Sequence, residues 1–237
     1  MAGLSEEFLR EAFIEWNTRE TNLILSYFNN VWINYDGLNF DSSPGKNEAD
    51  IIIFERAFKT FNEIEIKKSQ TDWLREINAV RVARDSVNGI PDSLNTVLVN
   101  RWPCEKSKIR KFTRIFKGES MMDSFSFLVP SYLYHRFLKK YPFIIKTLEQ
   151  CGFGLIVYTG GGEFEVVLPF RRLSSFYKSP SFITDAALYL TSQQSKRESI
   201  NDAKPISTKR RNNPRKKKRI QHGKKPSQNK HTRSASK

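Results

Sequence analysis

The chain has little of what a disulfide scaffold, a zinc knuckle or a membrane protein requires. Only two cysteines occur among its 237 residues, Cys104 and Cys151. Neither lies in a CxxC or Cys/His ligand spacing, which argues against a disulfide framework and a zinc ribbon. The three histidines, His135, His222 and His231, fit no Ser/His/Asp or metal-ligand pattern. No apolar run approaches the ~20 residues of a membrane span. Residues 1–8, MAGLSEEF, are acidic and polar, unlike a secretory leader. Gly160, Gly161 and Gly162 read as a turn, since no helix pattern opens after them to make a phosphate-cradling loop. These absences set the expectation of a soluble, cytoplasmic protein with no membrane partner.

What is present points elsewhere. Eighteen Phe, four Trp and 38% hydrophobic residues suffice for a core, so fully disordered and collagen-like classes are excluded. The length suits one domain with an appendage. The net charge of +15 is unevenly spread. Residues 196–237 carry 16 Lys and Arg against Glu198 and Asp202, while the first 195 residues hold 24 basic and 23 acidic side chains. The last 42 residues also lack Phe, Tyr, Trp, Leu, Val and Met. They cannot bury enough apolar area to offset their ordering entropy, which predicts a disordered basic tail. Its densest run, with Lys209, Arg210, Arg211, Arg215, Lys216, Lys217, Lys218 and Arg219, suits a phosphate backbone gripped through counterion release. The alternatives are a solvated tail or a targeting signal, and the latter leaves nuclear import open.

Residues 5–16 place Phe8, Leu9, Ala12, Phe13 and Trp16 on one helical face behind a Ser5 cap. Residues 23–33 read as a mixed apolar stretch, a helix end and then a strand, and 41–47 as a loop. Residues 49–54 (ADIIIF) and 60–67 (TFNEIEIK) read as two strands of a hairpin. Residues 69–84 read as a helix with Trp73, Leu74, Ile77 and Val80 on one face. Residues 85–119 are less regular and read as an excursion or insertion. A strand at 125–129, a helix at 132–140 and a hairpin over 154–168 follow. The expected fold class is α/β or α+β, a sheet with helices on its faces, filling residues 1–180.

The tripeptide Glu65-Ile66-Lys67 carries the chemistry. Strand alternation points Glu65 and Lys67 to one face and Ile64 and Ile66 to the other. If the two strands pair, Asp50 approaches Glu65 and Lys67 at one end of the sheet. Two converging carboxylates are hard ligands for Mg²⁺ or Mn²⁺. Such an ion lowers the pKa of an attacking water, and an adjacent ammonium stabilises developing negative charge. The arrangement suits phosphodiester hydrolysis. The competing reading is a surface ladder of ion pairs.

Asp50 followed by Glu65-x-Lys67 resembles the PD-(D/E)xK nuclease superfamily. Residues 65–73, EIKKSQTDW, resemble the E-(I/V)-K-x-S-x-x-D-(F/W) signature of MmcB-like DNA-repair proteins. The strand at 49–54, residues 125–130 (FSFLVP) and the G-L-I hairpin from Gly154 are similar to further blocks of that family. The resemblance implies a restriction-endonuclease-like mixed central sheet flanked by helices. It further implies a metal-dependent nuclease of DNA repair or processing, with Asp50, Glu65 and Lys67 catalytic and Asp50 and Glu65 as metal ligands.

Departures and accessories complete the reading. The family's basic residue before A-D is Glu48 here, which adds an acid to the site or caps the strand. The first-helix glutamate used in many members of the superfamily corresponds to Glu7 or Glu11. Glu63 shares a face with Glu65 and reads as an outward polar residue rather than a ligand. Ser69 reads as a helix cap whose hydroxyl could also touch phosphate. Asp72 reads as a first-turn acid facing the helix dipole, or as a support for the site. The basic run at 106–114 is either a DNA-facing patch or a solvated helix face. DNA is favoured over RNA as partner, and a non-catalytic binder of either polymer is the alternative to an enzyme.

Overall fold

The computed structural model describes residues 4–21, 25–32, 48–90, 103–120, 122–173 and 180–202. The loop expected at 41–47 and all eight tail cations lie outside the described residues. The chain divides into two units, residues 1–202 and 203–237.

Among the described residues, six helices and six strands follow in the order α1 (Glu6–Thr21), β1 (Leu25–Trp32), β2 (Glu48–Glu55), β3 (Thr60–Ile66), α2 (Gln70–Val87), α3 (Lys106–Phe116), β4 (Ser124–Pro130), α4 (Ser131–Lys140), α5 (Phe143–Cys151), β5 (Gly154–Gly160), β6 (Glu163–Leu168) and α6 (Pro180–Asp202). The strands form one mixed sheet in sequential order. β1, β2 and β3 make an antiparallel meander. β3, β4 and β5 run parallel, so helical crossovers must connect them. β6 closes the sheet antiparallel to β5. The expected α/β sheet with flanking helices is present.

Alternation in the strands sorts the core. Ile51, Ile53, Ile64, Ile66, Leu128 and Ile156 meet Leu9 and Phe13 of α1 on one face. On the other, Phe125, Phe127, Val129, Leu155 and Val157 pack against Trp73, Ile77 and Val80 of α2, Phe112 and Ile115 of α3, and Leu133 and Phe137 of α4. Ala186 and Leu190 of α6 cover Ile52, Phe54 and Phe61. Trp73 stacks on Phe137 at 4.5 Å between ring centroids.

Two readings need correction. The stretch at 85–119 is not uniformly irregular: α2 runs to Val87, and residues 106–116 form α3, docked into the core through Phe112 and Ile115. The tail does not begin at 196, because α6 reaches Asp202. A helix anchored by buried Ala186 and Leu190 propagates through good helix formers such as Lys196, Arg197 and Glu198 at little cost per residue.

Candidate functional site

The register Ile51↔Ile64 and Ile52↔Glu63 brings the start of β2 to the end of β3. Continued by one position, it sets Asp50 opposite Glu65. The ladder ends there, and the Asp50 side chain takes over: Ile66 donates its backbone N–H to Asp50 Oδ2 at 2.6 Å. Asp50, Glu65 and Lys67 thus meet at one end of the sheet, as the strand spacing predicts.

The surroundings differ from an open strand face. Glu63 is fully buried, Glu65 is 6% exposed and Lys67 3% exposed. Glu63 is therefore not an outward polar residue. Alternation places it with Phe61 and Glu65, and α3 lies over that face. Lys111 of α3 donates to Glu63 Oε1 and lies 3.4 Å from Glu65 Oε2. Its ammonium also sits 4.9 Å above the Phe125 ring, a cation–π contact that partly replaces lost hydration.

Lys67 is the hub. Its Nζ donates to Glu65 Oε1 at 2.9 Å and lies 2.6 Å from Glu76 Oε2 and 3.5 Å from Asp72 Oδ2. Glu76, on α2 and fully buried, also accepts from Lys108 of α3 at 2.8 Å. Its other oxygen, Oε1, is buried without a hydrogen-bond partner among the described residues. Three lysines and a bank of carboxylates thus form one interlocked network across β3, α2 and α3.

The charges set each other's protonation. Burial alone would depress the Lys67 ammonium, but Glu65, Glu76 and Asp72 hold its pKa well above the ordinary value. Lys67 is a permanent cation and donor rather than a base. Burial pushes the Glu65 carboxyl up, yet Lys111, Lys67 and Lys108 outweigh it and bring it down to about 2. Asp50 goes the other way: burial first and the Glu65 charge second raise it to about 8, against Lys67 and the Ile66 N–H, with a smaller upward push from Glu6.

Ser69 is the N-cap of α2, accepting from Asp72 N at 3.2 Å. Asp72 serves both expected roles, as the acid of the first turn and as a half-exposed partner of Lys67. Glu7 and Glu11 are exposed on α1. The α1 acid that reaches the site is Glu6, whose charge acts on Asp50 and which pairs with Arg10 and Lys68. Glu48 opens β2 opposite Trp32, and its side chain is outside the described ones. Glu76 went unnoticed in the sequence, and Lys108 and Lys111, read within the basic run at 106–114 as DNA-facing or solvated, turn instead to Glu76, Glu63 and Glu65. The available signal was the apolar spacing of Ile109, Phe112, Ile115 and Phe116, which docks this lysine-rich helix on the core.

Two hard carboxylates close enough for Glu65 to raise Asp50 suit a divalent cation, which would discharge that repulsion. Among the described residues no group of three or more His, Cys, Asp and Glu is arranged to hold a metal ion. A cation here would rest on Asp50 and Glu65 and draw its remaining ligands from water. No protein-family model, curated protein or solved structure matches the chain. Among the described residues no helix is long and apolar enough to cross a membrane.

Proposed function

We propose that the chain is a metal-dependent hydrolase of DNA phosphodiesters, in repair or processing, on a restriction-endonuclease-like core of the MmcB-like type. The observation that carries this reading is the convergence of Asp50, Glu65 and Lys67 where the β2–β3 ladder ends. Asp50 and Glu65 would hold Mg²⁺ or Mn²⁺, which when bound supplies Lewis acidity and a hydroxide-like water. Lys67, kept cationic by its acids, stabilises negative charge on the phosphoryl oxygens and does not itself abstract a proton. Glu76 and Asp72 hold that ammonium in place.

A second reading, a non-catalytic binder of DNA or RNA with the same fold, draws support from Glu65, both of whose oxygens already face ammonium groups. The test is cleavage of labelled single-stranded, duplex and branched DNA with Mg²⁺ or Mn²⁺. Asp50→Asn is the informative variant, because Lys67→Ala would leave Glu65 and Glu76 buried with one cation fewer and endanger the fold. Cleavage by the wild type should fall by about 100-fold or more in Asp50→Asn. Binding that is indifferent to metal, with no scission at all, would favour the second reading.

A further inference from the structure

α3 has two charged sides, and the network above uses only one. Residues 106–117 contain Lys106, Lys108, Arg110, Lys111, Arg114 and Lys117 and no acid. Lys108 and Lys111 turn inward to Glu76, Glu63 and Glu65. At 3.6 residues per turn, Lys106, Arg110, Arg114 and Lys117 fall within about 80° of arc, beginning about 60° round the helix from Lys111. Lys106, Arg110 and Lys117 are exposed and Arg114 is half-buried.

Within α3 itself, this stripe sets like charges beside one another. Lys106, Arg110 and Arg114 stand at successive i, i+4 positions, where like charges destabilise a helix. Lys106 lies in the first turn, at the positive end of the macrodipole. α3 offers none of these cations an acid at i±3 or i±4. A helix needing only a soluble outer face would mix signs. From Lys106 to Lys117 the stripe is about 16 Å long. That length faces roughly five phosphates of one strand, counted along a duplex axis.

We propose that the Lys106–Arg110–Arg114–Lys117 stripe of α3 is the surface that tracks the phosphate backbone of duplex DNA beside the carboxylate–lysine site. The proposal rests on the nuclease reading for the location of that site, but its test does not. The stripe makes α3 bifunctional: its inner lysines order the carboxylates, and its outer cations set the substrate's approach. Phosphate contacts position nucleic acid without reading sequence, so the stripe confers register rather than sequence preference.

Binding of a fluorescent DNA duplex to the full chain, followed by anisotropy over a salt series in EDTA, tests this without any cleavage. The variant Lys106→Gln/Arg110→Gln/Arg114→Gln should weaken binding and flatten the slope of log K against log salt by up to about 2.7, near 0.9 per lost phosphate contact. Three cations removed elsewhere, all exposed, Arg136→Gln/Lys139→Gln/Lys146→Gln, should leave the slope unchanged. An unchanged slope in the α3 variant, or equal flattening in both, overturns the stripe. If the wild type never cleaves DNA yet the α3 variant alone flattens the slope, the stripe stands and the nuclease reading falls.

Discussion

At the scale of single residues, the network turns on charges removed from water. Lys111 and Glu63 are both buried and paired. Such a pair is weak evidence of net stabilisation, because desolvation offsets most of the Coulombic gain. Breaking it is another matter. Lys111→Met should cost about 3–5 kcal/mol, since Glu63 would be left buried without its cation. Adding Glu63→Leu in the same chain should recover much of the loss. Urea unfolding of both singles and the double completes the cycle, and additive losses would show that the two side chains do not act as a unit. Strand alternation correctly grouped Glu63 with Glu65 but could not say whether that face met water. Period two fixes which side chains share a face, and only tertiary packing decides what covers it.

At the scale of elements, the parts legible in the sequence were those with a clean period. The β2–β3 hairpin, α1 and α2 follow from apolar spacing and capping residues. α3 carries a clean apolar spacing in Ile109, Phe112, Ile115 and Phe116, but that spacing does not say what the flanking Lys108 and Lys111 face. The same physics hid Glu76, an acid at an inward position of α2. At the junction of β3 and α2, Ser69 offers two explanations, a cap and a phosphate contact, that one substitution separates. Ser69→Ala should destabilise the fold by about 1 kcal/mol through the lost bond to Asp72 N. DNA affinity measured well below the unfolding transition should not change. A drop in affinity at unchanged stability would assign the hydroxyl to phosphate instead.

At the scale of the whole molecule, cationic character is held in two places with different physics. The first 195 residues are nearly neutral in sum, yet α3 concentrates like charge on a rigid scaffold beside the site. Residues 196–237 hold most of the excess charge with almost no apolar side chains. A rigid stripe fixes geometry. A charged tail raises the local concentration of a polyanion and adds counterion release without register. These roles predict different signatures. Replacing Lys209, Arg210, Arg211, Arg215, Lys216, Lys217, Lys218 and Arg219 by Gln should weaken binding by a similar factor on every DNA sequence. It should reduce the salt slope by at most about 7, in proportion to the phosphates no longer neutralised. The urea midpoint should stay where it is, because the buried clusters lie between Leu9 and Leu190. If the tail and α3 act independently, their effects on log K add in the combined variant. A combined loss much smaller than the sum would mean that both segments compete for the same phosphates, leaving the tail to substitute for the stripe rather than to feed it.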